Sequence, residues 1–247
     1  LIRWHRVSIC ARPGRSGYPV HHPETRDGSV ASALRMQKSY LLQPPYHLEM
    51  EFEWGVTTLP ENAVIVLEEA LGCTNTTYAL HLAAGAAEQG KRVTYITPKY
   101  RDDVRIQMDL YRIRQFDRFA ITECARDADA ITASCTGDFC VIDQFASFFP
   151  DADLAGLKAT LSALLDLSRK KKTIILTLTT GILSDRHEQL IRSLADGVVQ
   201  FLDLSEGGRI KRYINVPKMK GEIPPERMVP FSITEEGILI DTRERHG

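Results

Sequence analysis

Short runs of apolar, mostly β-branched residues recur along this chain, and stretches with helical spacing separate them. The strongest runs are Ala63 to Leu67 (AVIVL), Arg92 to Thr97 (RVTYIT), Phe139 to Asp143 (FCVID) and Thr173 to Leu178 (TIILTL). Unbroken rather than alternating hydrophobicity marks strands buried on both faces, which is the property of a parallel sheet sandwiched by helices. Between them, Thr76 to Gln89 places Leu80, Ala83, Ala84 and Ala87 on one helical face before Gly90, and Asp102 to Arg112 does the same with Val104, Met108 and Tyr111. Leu154 to Leu167 and His187 to Leu194 also read as helices, and Phe119 to Thr122 as a further, weaker strand. Strands alternating with helices require right-handed crossovers and a mostly parallel α/β sheet. Past residue 197 the pattern changes. Val198 to Leu204, Ile210 to Val216, Phe231 and Ile238 to Ile240 are separated by Gly207-Gly208 and Gly237, and read as C-terminal antiparallel hairpins.

With 247 residues, 43% hydrophobic and 26% charged, the chain can bury a core without disulfides or metal staples. No apolar run approaches the roughly 20 residues of a membrane span. The net charge of −1 hides an asymmetry. Residues 1 to 38 carry seven Lys/Arg against two acids, a local +5, which leaves −6 for the rest. This basic segment lacks the apolar stretch of a signal peptide and has no hydrophobic period, so residues 1–45 read as a poorly ordered extension and 46–247 as one domain. A transit-like arm and a nucleic-acid-binding arm are the competing readings of the same charge. The acidic remainder, with no basic stripe interleaved with aromatics, argues against nucleic-acid binding. The five cysteines (Cys10, Cys73, Cys124, Cys135, Cys140) form no C-x-x-C pair, which suits a reduced, cytoplasmic setting and small buried hydrophobes.

The first strand–turn–helix is where an open parallel sheet offers a ligand site. A phosphate-binding loop at that place reads G-x-x-x-x-G-K-[ST]. Here it reads Glu69-Ala70-Leu71-Gly72-Cys73-Thr74-Asn75-Thr76, followed by Thr77. Glu69 and Thr74 stand where the boundary glycines belong, and Asn75 stands where the lysine belongs. Each change opposes polyphosphate: a negative charge arrives, a Cβ appears at a position of close backbone approach, and the cation that reaches the phosphates is gone. What survives is a helix N-terminus at Thr76 with its dipole, free amides and a hydroxyl suited to Mg²⁺. Taken alone, the loop reads as a βα turn with a threonine cap.

Several blocks outside the loop resemble the KaiC-like branch of the RecA-type ATPases. They are Thr76 to Thr97, Cys140-Val-Ile-Asp143, Ala195-Asp-Gly-Val198, Lys218-Met-Lys-Gly221 and Pro230 to Ile238. Within that branch the chain is similar to the single-domain archaellum accessory ATPase group, over roughly residues 46 to 241. The resemblance implies a RecA-like fold, a site for ATP or ADP with Mg²⁺ at Gly72, Cys73, Thr74, Asn75, Thr76 and Thr77, and Mg²⁺ held through Thr76 and Asp143. It implies that Lys218 and Lys220 form a basic finger reaching a neighbouring subunit's nucleotide, whereas the residues alone read equally as a charged hairpin at a sheet edge. It further implies a homo-oligomer, hexameric in the family, and a motor or signalling partner.

The family's catalytic acid follows the second strand. This chain has Thr97-Pro98-Lys99-Tyr100 there, with no base to activate water. Thr177 to Thr180 occupies the place of a polar sensor. Losing one oriented charge or donor typically costs about 10²–10³-fold in rate, so the expectation is a non-hydrolysing nucleotide sensor or scaffold. An active ATPase rewired through Lys99, or through a neighbour's Lys218 or Lys220, is the alternative. For Lys99 the residues leave two readings: it reaches a phosphate that Asn75 cannot, or it is a solvated surface lysine.

Overall fold

A computed structural model describes residues 59–124, 128–150, 153–234 and 237–240 of the 247. The proposed basic extension lies outside the described residues. In chain order the elements are β1 (Val64–Glu69), α1 (Thr74–Glu88), β2 (Val93–Thr97), α2 (Arg101–Leu110), β3 (Phe119–Glu123), α3 (Ala128–Ser134), β4 (Phe139–Ile142), a 3₁₀ turn (Phe145–Phe148), α4 (Leu154–Ser168), β5 (Thr173–Thr179), α5 (Asp185–Leu194), β6 (Gly197–Glu206), β7 (Arg209–Met219), β8 (Val229–Thr234) and β9 (Gly237–Ile240).

The strands form one sheet in the order β3-β2-β4-β5-β1-β6-β7-β8-β9. β1 to β6 are mutually parallel where they pair, and β7, β8 and β9 continue the sheet antiparallel. The unbroken apolar runs have the expected cause. In β1, Ile65 and Leu67 face a core built with α1 and α2, while Val64 and Val66 face a second core built with α3, α4 and α5. Tyr95 and Ile96 divide between the two faces in the same way. Each such side chain fully buried is worth about 1.5–3 kcal/mol.

The sequence reading differs from the fold at α1, α3 and β6, and α5 begins at Asp185, two residues before the expected His187. The helix α1 begins at Thr74, two residues before the expected Thr76, because its first amides find an acceptor outside the helix, described below. The short α3 went unread, since seven residues with few large apolar side chains carry little periodicity. β6 is not purely a hairpin strand: it pairs parallel to β1 along one edge and antiparallel to β7 along the other. The Gly207-Gly208 turn does join β6 to β7, with both glycines at positive φ (56° and 76°).

Of the cysteines, Cys10 lies outside the described residues, and Cys124, Cys135 and Cys140 are buried, but Cys73 is exposed because it lies at the tip of the β1–α1 loop. Among the described residues no helix is long and apolar enough to cross a membrane.

One packing contact makes stability pH-dependent. His81 on α1 lies against Gly237 at the start of β9, where an added Cβ would collide with the ring, and its Nε2 is buried without a hydrogen-bond partner. Burial lowers its pKa from 6.5 to about 4. The folded state therefore excludes a proton that the unfolded chain accepts, so stability is complete above pH 6.5 and is lost as pH falls towards 4. The loss reaches about 3 kcal/mol. Urea unfolding at about pH 7.5 and about pH 4.5 should show a larger drop for the wild-type chain than for His81→Leu. Equal drops would mean that other groups carry the acid sensitivity.

Candidate functional site

Because β1 to β6 run parallel, their C-terminal ends and following loops share one rim of the sheet. Glu69, Thr97, Asp143 and Thr177 converge there, with the N-terminus of α1 above them.

The β1–α1 loop is closed on itself by its own anion. Glu69 Oε2 accepts hydrogen bonds from the backbone amides of Thr74 (2.9 Å) and Asn75 (3.2 Å). Those are first-turn amides of α1, the groups that a helix presents to a phosphate. The carboxylate is therefore both cap and counter-charge to the helix dipole. Cys73, at the N-cap position, makes no side-chain cap bond, and Thr76 is inside the first turn, so the expected threonine cap is replaced by Glu69. Gly72 makes room for this: its φ is +153°, and a Cβ there would lie 2.9 Å from Glu69 Cδ and closer still to Oε1.

Asn75 turns away from the loop and into the sheet. Its Nδ2 donates to the carbonyls of Leu67 (3.3 Å) and Leu178 (3.2 Å), and its Oδ1 accepts from the Thr76 amide (2.7 Å). The side chain thus joins the ends of β1 and β5 and is only 3% exposed. Thr77 is buried, and its hydroxyl accepts from Gln107 Nε2 on α2 (3.0 Å). Cys73 Sγ lies 3.9 Å from the Tyr111 hydroxyl.

Asp143, just past β4, is fully buried. Its Oδ1 accepts from Thr76 Oγ1 (2.8 Å) and Thr177 Oγ1 (2.9 Å); its Oδ2 accepts from Thr97 Oγ1 (3.2 Å) and pairs with Lys99 Nζ (3.0 Å). Thr177 in turn accepts from the Gln144 amide (2.7 Å). Burial, with Asp143 nearby, raises the Tyr95 phenol well above its usual pKa, and its hydroxyl stays un-ionised. Thr76 and Asp143, the two residues named for Mg²⁺, are hydrogen-bonded directly to each other. Lys99 is neither a solvated lysine nor directed at the loop; it sits on Asp143.

Lys218 and Lys220 lie at the opposite rim, near the start of β1. Lys218 Nζ donates to the carbonyls of Ser193 (2.9 Å) and Ala195, capping the C-terminal end of α5. Lys220 Nζ donates to the Asn62 carbonyl (3.0 Å) and lies 3.8 Å from Asp196.

Sequence reasoning passed over two parts of this rim. Thr97 ends β2 next to Lys99 and shares its carboxylate. Arg192 pairs with Glu68 (2.7 Å) and Glu188 (3.0 Å), and Glu68 also accepts from Gln200 Nε2 (2.6 Å). The Glu188/Arg192 spacing of four on one helix was the available signal. Beside the loop a cleft of about 330 Å³ is lined by Glu68, Glu69, Leu71, Arg192 and Asp203. Its arginine is held by two carboxylates, and its acids are engaged as well: Glu69 by the loop amides, Glu68 by Arg192 and Gln200, and Asp203 by Arg212 at 3.5 Å.

A family model described as the KaiC ATPase matches residues 106–245, a span that includes Asp143, Thr177, Lys218 and Lys220 and begins after the β1–α1 loop. No curated protein matches the chain in sequence. Among solved structures, the flagellar accessory protein FlaH of Methanocaldococcus jannaschii superposes with a TM-score of 0.65 at 15% identity, over 74% of this chain and 91% of that one. A KaiC-like protein of Pyrococcus horikoshii gives 0.63 at 21% identity, with the same coverage of 74% and 91%. At these identities the likeness establishes a shared RecA-like α/β fold.

Proposed function

The chain belongs to the KaiC family of ATPases, and from that premise we propose that it is a non-hydrolysing member whose nucleotide site is filled by its own side chains and which acts as a scaffold subunit. The observation that carries this reading is the Glu69 carboxylate on the amides of Thr74 and Asn75.

The family implies ATP or ADP with Mg²⁺, and the residues present do not fit them. A phosphate on the first turn of α1 must expel a carboxylate that already satisfies two amides, and must do so while bringing more negative charge. The cation that would assist it is absent: Asn75 spends its amide on Leu67 and Leu178. The position following β2 holds Lys99, already paired, where catalysis needs a base. The rewired alternative is not favoured either, because Lys99, Lys218 and Lys220 are all engaged within the chain.

A scaffold role keeps what the family fold supplies without turnover, namely a rigid sheet and surfaces for assembly. By likeness to a flagellar accessory protein and to the KaiC family, the partners are copies of this chain in a ring and a motility or signalling assembly. The sensing form of the same idea differs in one respect: nucleotide would bind without being cleaved.

Calorimetric titration of the purified chain with Mg·ATP and Mg·ADP separates these readings. The expected result is no binding tighter than about 1 mM, that is, less than about 4 kcal/mol, with phosphate release equal to buffer. Micromolar binding without release would replace the scaffold by a sensor, and release above buffer would overturn both.

A further inference from the structure

Lys99 stands at a position that calls for explanation on charge alone. Asp143 has no exposed surface, and an ionised carboxylate in such a place requires a compensating positive charge. In nucleotide-binding relatives of this fold type a divalent cation brings positive charge to this region. Here the charge comes from within the chain: Lys99 Nζ lies 3.0 Å from Asp143 Oδ2, with the lysine side chain itself only 28% exposed.

Among the described residues, Asp143 accepts from four donors. Oδ1 takes the hydroxyls of Thr76 and Thr177, and Oδ2 takes the hydroxyl of Thr97 and the ammonium of Lys99. A carboxylate offers about four lone-pair sites, and these four donors occupy them, while the buried Tyr95 hydroxyl beside Asp143 is left without a hydrogen-bond partner. The lysine is also held from its own backbone. The Lys99 amide donates to Thr97 Oγ1 (3.2 Å), the same hydroxyl that donates to Asp143 Oδ2. Ammonium, hydroxyl and carboxylate therefore share one anchor at the end of β2.

We propose that Lys99 is the permanent counter-cation of Asp143, so that this chain has exchanged a divalent-cation site for an internal ammonium. Its fold neither needs nor takes up Mg²⁺ or Mn²⁺ at Asp143, and removing the lysine uncovers a divalent-cation site formed by Asp143 and the hydroxyls of Thr76, Thr97 and Thr177. The inference rests on the reading of the site as internally filled, but it concerns the cation half, whereas the proposed loss of nucleotide binding rests on Glu69 and Asn75.

The test is thermal unfolding, without nucleotide, in chelator and in rising Mg²⁺ or Mn²⁺. The wild-type midpoint should be the same in chelator and in metal. Lys99→Met should unfold at lower temperature in chelator and regain about 3–6 °C at roughly ten times its metal Kd. Lys99→Arg should behave as wild type, because the charge is retained. Lys99→Met combined with Asp143→Asn should lose the metal response, because no carboxylate remains to neutralise. If Lys99→Met fails to fold in chelator, recovery of soluble, folded chain by Mg²⁺ supports the proposal, and recovery only through Asp143→Asn overturns it. A metal-dependent midpoint in the wild-type chain, or a folded Lys99→Met chain indifferent to metal, also overturns it. Binding of ATP by the wild-type chain would sink the scaffold reading while leaving these midpoints as they are.

Discussion

Replacing Glu69→Gly, Thr74→Gly and Asn75→Lys together is expected to raise the affinity for ATP by at least about 10²-fold over the wild-type chain. The estimate follows from what each change releases. Glu69→Gly frees the amides of Thr74 and Asn75, which now donate at 2.9 and 3.2 Å to the carboxylate, and removes the charge that repels phosphate. Hydrogen bonds to a charged group are worth about 1.5–3 kcal/mol each, so two recovered donors alone supply about 3 kcal/mol, or roughly two orders of magnitude. Thr74→Gly allows the close backbone approach, and Asn75→Lys adds a cation able to reach an anion. The variant should also be less stable than wild type, since the Leu67 and Leu178 carbonyls lose the Asn75 amide. Calorimetry on a variant with native circular dichroism gives the answer. A folded triple variant that still ignores ATP would show that something other than the filled loop excludes the nucleotide. Glu69→Gly alone should give part of the gain, and Asn75→Lys alone almost none, because the carboxylate would still hold the amides.

That the loop departs from the phosphate-loop pattern was legible, because that judgement needs only residue types at fixed spacing. Glu69, Thr74 and Asn75 each contradict a known requirement. What the side chains do instead was not legible. The reach of Glu69 back onto the helix depends on the path of Ala70 and Leu71 and on Gly72 at φ +153°, and no one-dimensional pattern encodes that curvature. The same holds for Asn75. Its type says that a lysine is lost, but only the register of β1 against β5 brings the Leu67 and Leu178 carbonyls within reach of one amide. The parallel sheet, by contrast, was legible from its unbroken apolar runs, since burial on both faces writes itself into every residue of a strand. β6 was half legible: its hairpin with β7 is announced by two glycines, whereas its parallel edge against β1 is a long-range pairing without a local mark. Lys99 was visible as an anomaly after β2, and its partner was visible as the acid ending β4. Their contact depends on β2 and β4 being sheet neighbours, which follows from topology rather than from either segment.

Asp143→Ala is expected to cost about 3 kcal/mol in stability and to lower the unfolding midpoint by about 6–12 °C. The figure is set at the lower end for a broken buried ion pair because Lys99 is 28% exposed and can partly regain water. The remaining loss comes from the hydroxyls of Thr76, Thr97 and Thr177, whose shared acceptor disappears inside a fully buried site. Asp143→Asn should cost less, since it keeps one oxygen acceptor and the side-chain volume while removing the charge that Lys99 faces. The comparison separates two roles for this aspartate. An acid held ready for a bound metal and a reaction is a strain on the free protein, so its removal leaves stability unchanged or improves it. An acid already neutralised by a lysine and three hydroxyls is part of the core, and its removal leaves a buried cation and unpaired donors. Chemical denaturation of Asp143→Ala within about 0.5 kcal/mol of wild type would assign Asp143 the first role and remove the physical basis for treating the site as internally filled. The expected large loss would mean that the carboxylate at the end of β4 holds the rim of the sheet together through the ammonium that follows β2.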